Sequence, residues 1–372
     1  MELLAHAYYA MGLFAQARST YESLSECGLQ NAAKLRVLRK AIGSCFNQGD
    51  FPHALEIEAK TSGCASVDRL ELARIQKLKA KVMGFTGKVR EALTNTEECL
   101  KVFETEDSEI DVVETLADMS KFYLTECSMD KAKQAAEQSI ELSRKSHNLR
   151  GEMLAHFSAG EVYFHCGIKE EVIQHYTSGV RIGESIGAYG LILTFGAMYL
   201  CIMHEYFDEL EDALPVTLKA LELSKKTESE FAQCMVYSCL VRQYAKLGNM
   251  EAAEKWFSEF TRLFAKVSHT ASRLANAVGE RTIGVFYAAK GDFDEAHKHF
   301  EESLQLMKTS LFTSLFEAMT RTDYAKALSK HGRKSDAKEQ LEEALNLYAK
   351  ISNNAQVLRL KQLLAELEKN AF

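Results

Sequence analysis

Apolar residues along this chain recur at helical spacing rather than in strict alternation, and single small or flexible residues punctuate the helical runs. The stretch KGDFDEAHKHFEESL, Lys290 to Leu304, is the clearest copy: Gly291 breaks one run, Asp292 and Asp294 open the next, and Ala296 and Phe300 follow. The same order returns as Gly12, Ala17 and Tyr21; Gly49 and Ala54; Gly87 and Ala92; Cys127 and Ala132; Gly167 and Tyr176; Gly248, Ala253 and Phe257; and Gly332 and Ala337. A degenerate copy around YFDELEDALPVTLKAL keeps Ala213 and Ala220 without a turn glycine. Copies are spaced roughly 37 to 43 residues apart.

Each copy predicts a helical hairpin. A glycine closes the first helix in a left-handed conformation, and an acidic or short residue starts the second. Alanine five residues after the glycine lets the two helices approach closely, while tyrosine before the turn and an aromatic after it fill the space between neighbouring hairpins. One hairpin cannot bury both its faces, so the hairpins must stack. Pro52 is expected in the first turn of its helix, where a missing N–H is harmless. Pro215, well inside the second helix of the degenerate copy, predicts a kink or a late helix start.

Composition supports the helical reading. Among 372 residues there are only two prolines, 47% are hydrophobic, and the formal net charge is −7, which gives no prior for nucleic acid as a partner. Nine cysteines, an odd number without a Cys-x-x-Cys pair, suit reduced core positions in the cytoplasm rather than disulfides or zinc. Ser185 to His204 runs without a formally charged side chain and is long enough to cross a bilayer. Its three internal glycines, the lack of a basic flank and its place in the repeat argue for the first helix of the degenerate unit instead. The opening MELLAHAYYAMG is already amphipathic helix without an N-cap, which favours a piece of something longer.

With the Gly-x-Tyr, Gly, Ala and Phe places occupied as quoted, the chain resembles tetratricopeptide-repeat proteins, in a long version without the usual closing proline. That version is similar to the helical arrays of bacterial and archaeal signalling ATPases and LuxR-type transcriptional activators, and to those of kinesin light chain and Leu-Gly-Asn-type polarity adaptors. The resemblance implies an all-α, right-handed superhelix of about nine hairpins, forming one domain over residues 1–372. Its irregular middle spans about 185–225, and a capping helix lies at about 353–370.

No chemistry beyond this scaffold is legible. There is no Gly-x-x-x-x-Gly-Lys-Ser/Thr run and no His-Glu-x-x-His, so neither an enzyme, nor a cofactor, nor a metal site is expected. His165, Cys166, Glu170, Glu171 and His175 flank a turn and point in different directions. The acid and histidine cluster after Gly291 reads as a helix start whose Asp294–His297 and Glu295–His299 pairs face solvent.

What remains is recognition along the first helices, which in the resembling family line a concave groove. The corresponding positions are Arg36, Arg39, Phe46, Arg74, Lys77, Lys81 and Lys121, a basic section, followed by Phe157, Glu161, Phe164, Phe195, Met198, Ile202, Tyr206 and Arg242, an apolar and aromatic one. Such a groove suits an acidic or amphipathic segment of a protein or peptide partner, with neither nucleic acid nor membrane involved. The resemblance implies a regulatory sensor module, specifically the C-terminal arm of a signalling ATPase or transcriptional regulator. The alternatives are a free-standing adaptor, or a receptor for a small ligand or signalling peptide near Phe164, Phe195 and Tyr206. The chaperone-tail clamp of some members is not reproduced, because Gly43 stands where its asparagine belongs.

Overall fold

The computed structural model describes all residues except 11–12, 49, 63–67, 189–191, 193–197, 227–229, 270–272, 309–313 and 370–372. Its named helices are all α-helices, and among the described residues there is no strand. In chain order they are α1 (Glu2–Ala10), α2 (Phe14–Ser25), α3 (Asn31–Gln48), α4 (Phe51–Ala59), α5 (Arg69–Phe85), α6 (Val89–Thr105), α7 (Glu109–Thr125), α8 (Met129–Lys145), α9 (Leu149–Cys166) and α10 (Lys169–Ser185). The series continues with α11 (Met198–Tyr206), α12 (Leu210–Lys226), α13 (Glu230–Lys246), α14 (Met250–Val267), α15 (Arg273–Lys290), α16 (Phe293–Met307), α17 (Ser314–Lys330), α18 (Lys334–Lys350) and α19 (Asn354–Lys369). Among the described residues the odd-numbered helices from α1 to α17 are the first members of nine consecutive hairpins, and α19 is the cap.

The sequence punctuation sits where the backbone needs it. Gly291 has φ +90°, and Cys127 and Asp208, which replace glycine in their copies, are left-handed at φ 58° and 60°. Asp50, Asn249 and Asp292 accept hydrogen bonds from the backbone N–H groups of His53, Ala252 and Glu295, supplying helix N-caps. Pro52 follows directly after the Asp50 cap, as expected. Pro215 lies inside α12, which already begins at Leu210, so no late start occurs. The proline is exposed, and the helix passes through it.

Burial confirms why the small residues recur. Ala17, Ala54, Ala92, Ala132, Ala213, Ala253, Ala296 and Ala337 are all 0% exposed, so a larger side chain at any of them would force paired helices apart. The aromatics that follow, Tyr21, Tyr176 and Phe300, are each about as deeply buried, at 1%. Helix-interior glycines receive them: a Cβ at Gly160 would stand 3.0 Å from the Tyr176 ring, and one at Gly284 3.0 Å from the Phe300 ring.

At Gly84 the packing is tighter, since a Cβ would stand 2.2 Å from the Phe122 ring, itself only 2% exposed. Alanine gains about 1 kcal/mol of helix propensity over glycine, but overpacking a buried ring costs about 1–3 kcal/mol. Gly84→Ala should therefore lower the thermal midpoint. A raised midpoint would show that propensity wins and that Phe122 yields.

The chain divides into two compact units. Unit 1 comprises Met1–Ala159, Ser178–Ile192 and Lys226–Ser229; unit 2 comprises Gly160–Thr177, Leu193–Lys225 and Glu230–Phe372. In unit 1, α3 packs on α5 and α5 on α7, besides each helix packing on its chain neighbours from α1 to α8. In unit 2 the inner series α11, α13, α15 and α17 repeats that arrangement. First helices thus form a continuous layer within each unit. Among the described residues no helix is long and apolar enough to cross a membrane.

Candidate functional site

In unit 1 the first helices carry a ladder of ion pairs, each rung about one repeat long. Arg36 and Lys40 of α3 reach Glu2 of α1, at 3.3 and 3.2 Å. Arg39 donates to Glu71 of α5 at 2.7 Å, and Glu71 also accepts from Arg74 at 2.7 Å. Arg74 continues to Asp111 of α7 at 2.8 Å. Lys77 reaches Asp111 at 3.5 Å and Glu114 at 3.1 Å, and Glu114 in turn meets Arg150 of α9 at 3.7 Å. Lys81 pairs with Asp118 at 2.9 Å and lies over the Phe46 ring, 5.1 Å from its centroid. Phe46 also packs edge-on against Phe85 at 5.1 Å.

This changes the picture of the early section. Its lysines and arginines are there, but carboxylates from neighbouring first helices neutralise Arg36, Arg39, Arg74, Lys77 and Lys81, so the face carries both signs of charge. Lys77 is buried, whereas Arg36, Arg39, Arg74 and Lys81 keep between 26% and 47% of their side chains exposed. Lys121 and Glu161 are half-buried. Phe157 is 3% exposed and fills the space above Gly179, where a Cβ would stand 2.4 Å from its ring.

The unit 2 layer is closed instead by a buried charge network. Arg242 of α13 donates through Nε to both carboxylate oxygens of Glu205 on α11, at 3.1 and 2.9 Å, and through Nη1 to Thr282 Oγ1 at 2.6 Å. Arg281 of α15 donates to Asp323 of α17 at 2.9 and 2.6 Å and to Glu205 at 3.0 Å. Lys246 bridges Glu205 and Asp323, both at 2.9 Å. Side-chain exposure is 0% for Glu205, 1% for Arg242, 3% for Arg281 and 7% for Asp323. Burial pushes the Glu205 carboxyl up, but Arg242, Lys246 and Arg281 outweigh it and hold it at about 2. Asp323 is likewise held well below its ordinary value against burial, by Lys246 and Arg281.

The remaining positions in this unit are also occupied by the protein itself. Phe164 is fully buried and meets Tyr206 edge-on at 5.0 Å, and Ile202 is 7% exposed. Asn353, in the turn before α19, donates through Nδ2 to the His165 carbonyl at 2.9 Å and to Tyr206 Oη at 2.6 Å. Gln356 and Arg359 donate to the Tyr206 carbonyl, and Arg359 pairs with Asp208. The cap thereby binds both the α9–α10 and the α11–α12 turns. Phe195 lies outside the described residues; Met198 opens α11, and its side chain is not among those described.

Sequence reading missed Arg281, Lys246, Asp323 and Asn353. The available signal was spacing: Glu205 to Arg242 is 37 residues and Arg281 to Asp323 is 42, about one repeat each. In the opening cluster, His299 does meet Glu295 at 3.5 Å, and Glu280 more closely at 2.6 Å. His297 bonds instead to the Tyr324 hydroxyl, because that ring is stacked on it. Among the described residues no group of three or more histidines, cysteines and carboxylates could hold a metal ion.

Comparison with known proteins agrees with this architecture. A tetratricopeptide-repeat model matches residues 273–350, and a PPR-repeat model matches residues 235–263. No curated protein matches the chain's sequence. Among solved structures, aspartyl phosphate phosphatase F from Bacillus subtilis aligns with a TM-score of 0.60 at 12% identity, covering 92% of each chain. A Rap protein complexed with competence and sporulation factor aligns at 0.56 and 12% identity, covering 91% of this chain and 98% of its own. A signal-transduction ATPase from Pyrococcus horikoshii with a tetratricopeptide-repeat sensor aligns at 0.54 and 12% identity, covering 95% of this chain. The chain spans 55% of that protein's length. At such identities the likeness is one of fold.

Proposed function

We propose that this chain, whose residues 273–350 match a tetratricopeptide-repeat model, is a protein-interaction module receiving a partner's polypeptide segment along the first helices of unit 1. The observation that carries the proposal is the difference between the two inner layers. In unit 2 Glu205, Arg242 and Arg281 are sealed from solvent, whereas in unit 1 Arg36, Arg39, Arg74 and Lys81 remain partly exposed, and Lys81 lies over the Phe46 ring. The Arg36–Glu2 pair is exposed on both sides and is worth only about 0–1 kcal/mol, so a partner can exchange it at little cost. A face of both charge signs with an aromatic edge fits an amphipathic segment bearing mixed charge rather than a uniformly acidic one.

The Rap structure, complexed with a separate factor, supports reading this fold as a receptor for another molecule. The sensor-bearing ATPase supports the narrower version, in which the partner is a further domain of a signalling machine. Capture of partners from the native organism's extract, with chemical cross-linking and peptide mapping, tests the site. Cross-links should cluster on α3, α5 and α7, and Arg36→Glu with Lys81→Glu should reduce recovery about tenfold, in line with a loss of about 1.4 kcal/mol. Undiminished recovery, or cross-links confined to the second helices, would remove this face from consideration.

A further inference from the structure

Within unit 2, two helix C-termini converge on the cap. The carbonyls of His165 and Tyr206 belong to the last turns of α9 and α11, where no N–H of the same helix reaches them, and each lies at the negative end of its helix. Donors from α19 occupy both. Asn353 Nδ2 lies 2.9 Å from the His165 oxygen, and Gln356 Nε2 and Arg359 Nη1 lie 3.2 and 3.3 Å from the Tyr206 oxygen. Arg359 also pairs with Asp208, just beyond α11. The apolar hold on α19 is slighter. Of its own residues only Gln356 and Leu360 are buried; Val357, Leu363, Leu364 and Leu367 are half-buried, and Leu358 is 62% exposed. Once α19 lifts, water reaches both carbonyls and largely replaces its polar contacts, so a helix held in this way is exchangeable.

We infer that the surface formed by the α9 and α11 C-termini is a helix-docking site, which α19 fills as a self-ligand in competition with an amphipathic helix of a partner polypeptide. The acceptors set that helix's chemistry. Two backbone carbonyls and the Asp208 carboxylate call for donors, so the incoming helix carries an amide at its N-cap, a second amide three residues on and a cation three further, next to an aliphatic residue in the place of Leu360. A uniformly acidic helix would set its carboxylates against carbonyl oxygens and Asp208, and the site rejects it. The site lies in unit 2 and does not rest on the interaction proposed for unit 1.

The probe is a fluorescein-labelled peptide with the sequence of residues 351–369, titrated with the full chain and followed by anisotropy. The wild-type chain should bind it weakly, because its own α19 fills the site and lowers the apparent affinity in proportion to the fraction of open chains. One substitution then acts in opposite directions. Asn353→Ala in the chain loosens the resident helix and should tighten peptide binding about a hundredfold, whereas the same change in the peptide should weaken its binding to that chain about a hundredfold. Arg359→Ala, at the more exposed Asp208 contact, should repeat both effects at about tenfold, and it carries the test if Asn353→Ala does not fold. Gly84→Ala, which strains unit 1, should bind the peptide as the wild type does. No binding to any chain, shifts in the same direction from chain and peptide substitutions, or equal tightening by Gly84→Ala would overturn the site. A chain that dimerises through α19, with the peptide dissolving the dimer, would assign the site to exchange between copies and overturn the partner helix. None of these outcomes bears on the cross-linking test of unit 1.

Discussion

Glu205→Ala is expected to cost about 3–5 kcal/mol of unfolding free energy, because it leaves buried cations without their shared acceptor. Glu205 is fully buried and is the common acceptor for Arg242, Lys246 and Arg281. Without it, those cations share the single carboxylate of Asp323 in a site from which water is excluded. Glu254→Ala serves as the contrast: its pair with Lys290 is about half exposed on both sides and should be worth about 0–1 kcal/mol. Denaturant midpoints at neutral pH measure both. Comparable losses for the two would mean that water reaches the Glu205 network.

The same network predicts acid sensitivity with a definite sign. The ordinary value for Glu205 is 4.5, and the folded value is about 2. A carboxyl depressed on folding contributes stability that is fully present above 4.5 and is lost as pH falls toward 2. Wild-type stability should therefore fall through that window, and the slope should be shallower in Glu205→Gln, which has no carboxyl to protonate there. Parallel stability curves for the two proteins would contradict the assignment.

The parts of this molecule legible in the sequence are those set within one hairpin. Gly291, Asp292, Ala296 and Phe300 act on neighbours a few residues away, or on the facing helix of the same pair, and so a repeated local pattern identifies them. Which first-helix charges become buried depends on how successive hairpins stack, and a small change in winding per repeat accumulates. Arg74 looked free because its acceptor, Asp111, lies 37 residues away. Arg281 reaches Glu205 from 76 residues away, past a whole intervening hairpin. Periodicity gives no access to such a contact, although it does place both residues on first helices. The carboxylates that give the early section its second sign of charge were hidden for the same reason: the sequence shows cations on one helix, while their acidic partners belong to a neighbouring one.

Asn353 should prove the most sensitive position of the cap, and two replacements separate its roles. It is fully buried, caps α19 by accepting from the Gln356 N–H at 3.3 Å, and donates to the His165 carbonyl and Tyr206 hydroxyl. Loss of a helix cap costs about 1 kcal/mol, and leaving a buried polar group unpaired costs about 1–3 kcal/mol. Asn353→Ala removes both functions and should destabilise by about 3 kcal/mol, with faster amide exchange along α19. Asn353→Asp keeps the cap but cannot donate, and it buries a charge beside a carbonyl oxygen. If capping dominated, Asp would restore stability; because the bridge to His165 and Tyr206 dominates, Asp should be no better than Ala. Gly167 supplies an independent check, since it is left-handed at φ +71° and a Cβ there would stand 2.2 Å from Asn353 Oδ1. Gly167→Ala should therefore cost more in the wild type than in Asn353→Ala, where only the backbone penalty of about 1–2 kcal/mol remains. Equal penalties in the two backgrounds would place Asn353 away from the Gly167 turn and release α19 from its role in fastening unit 2.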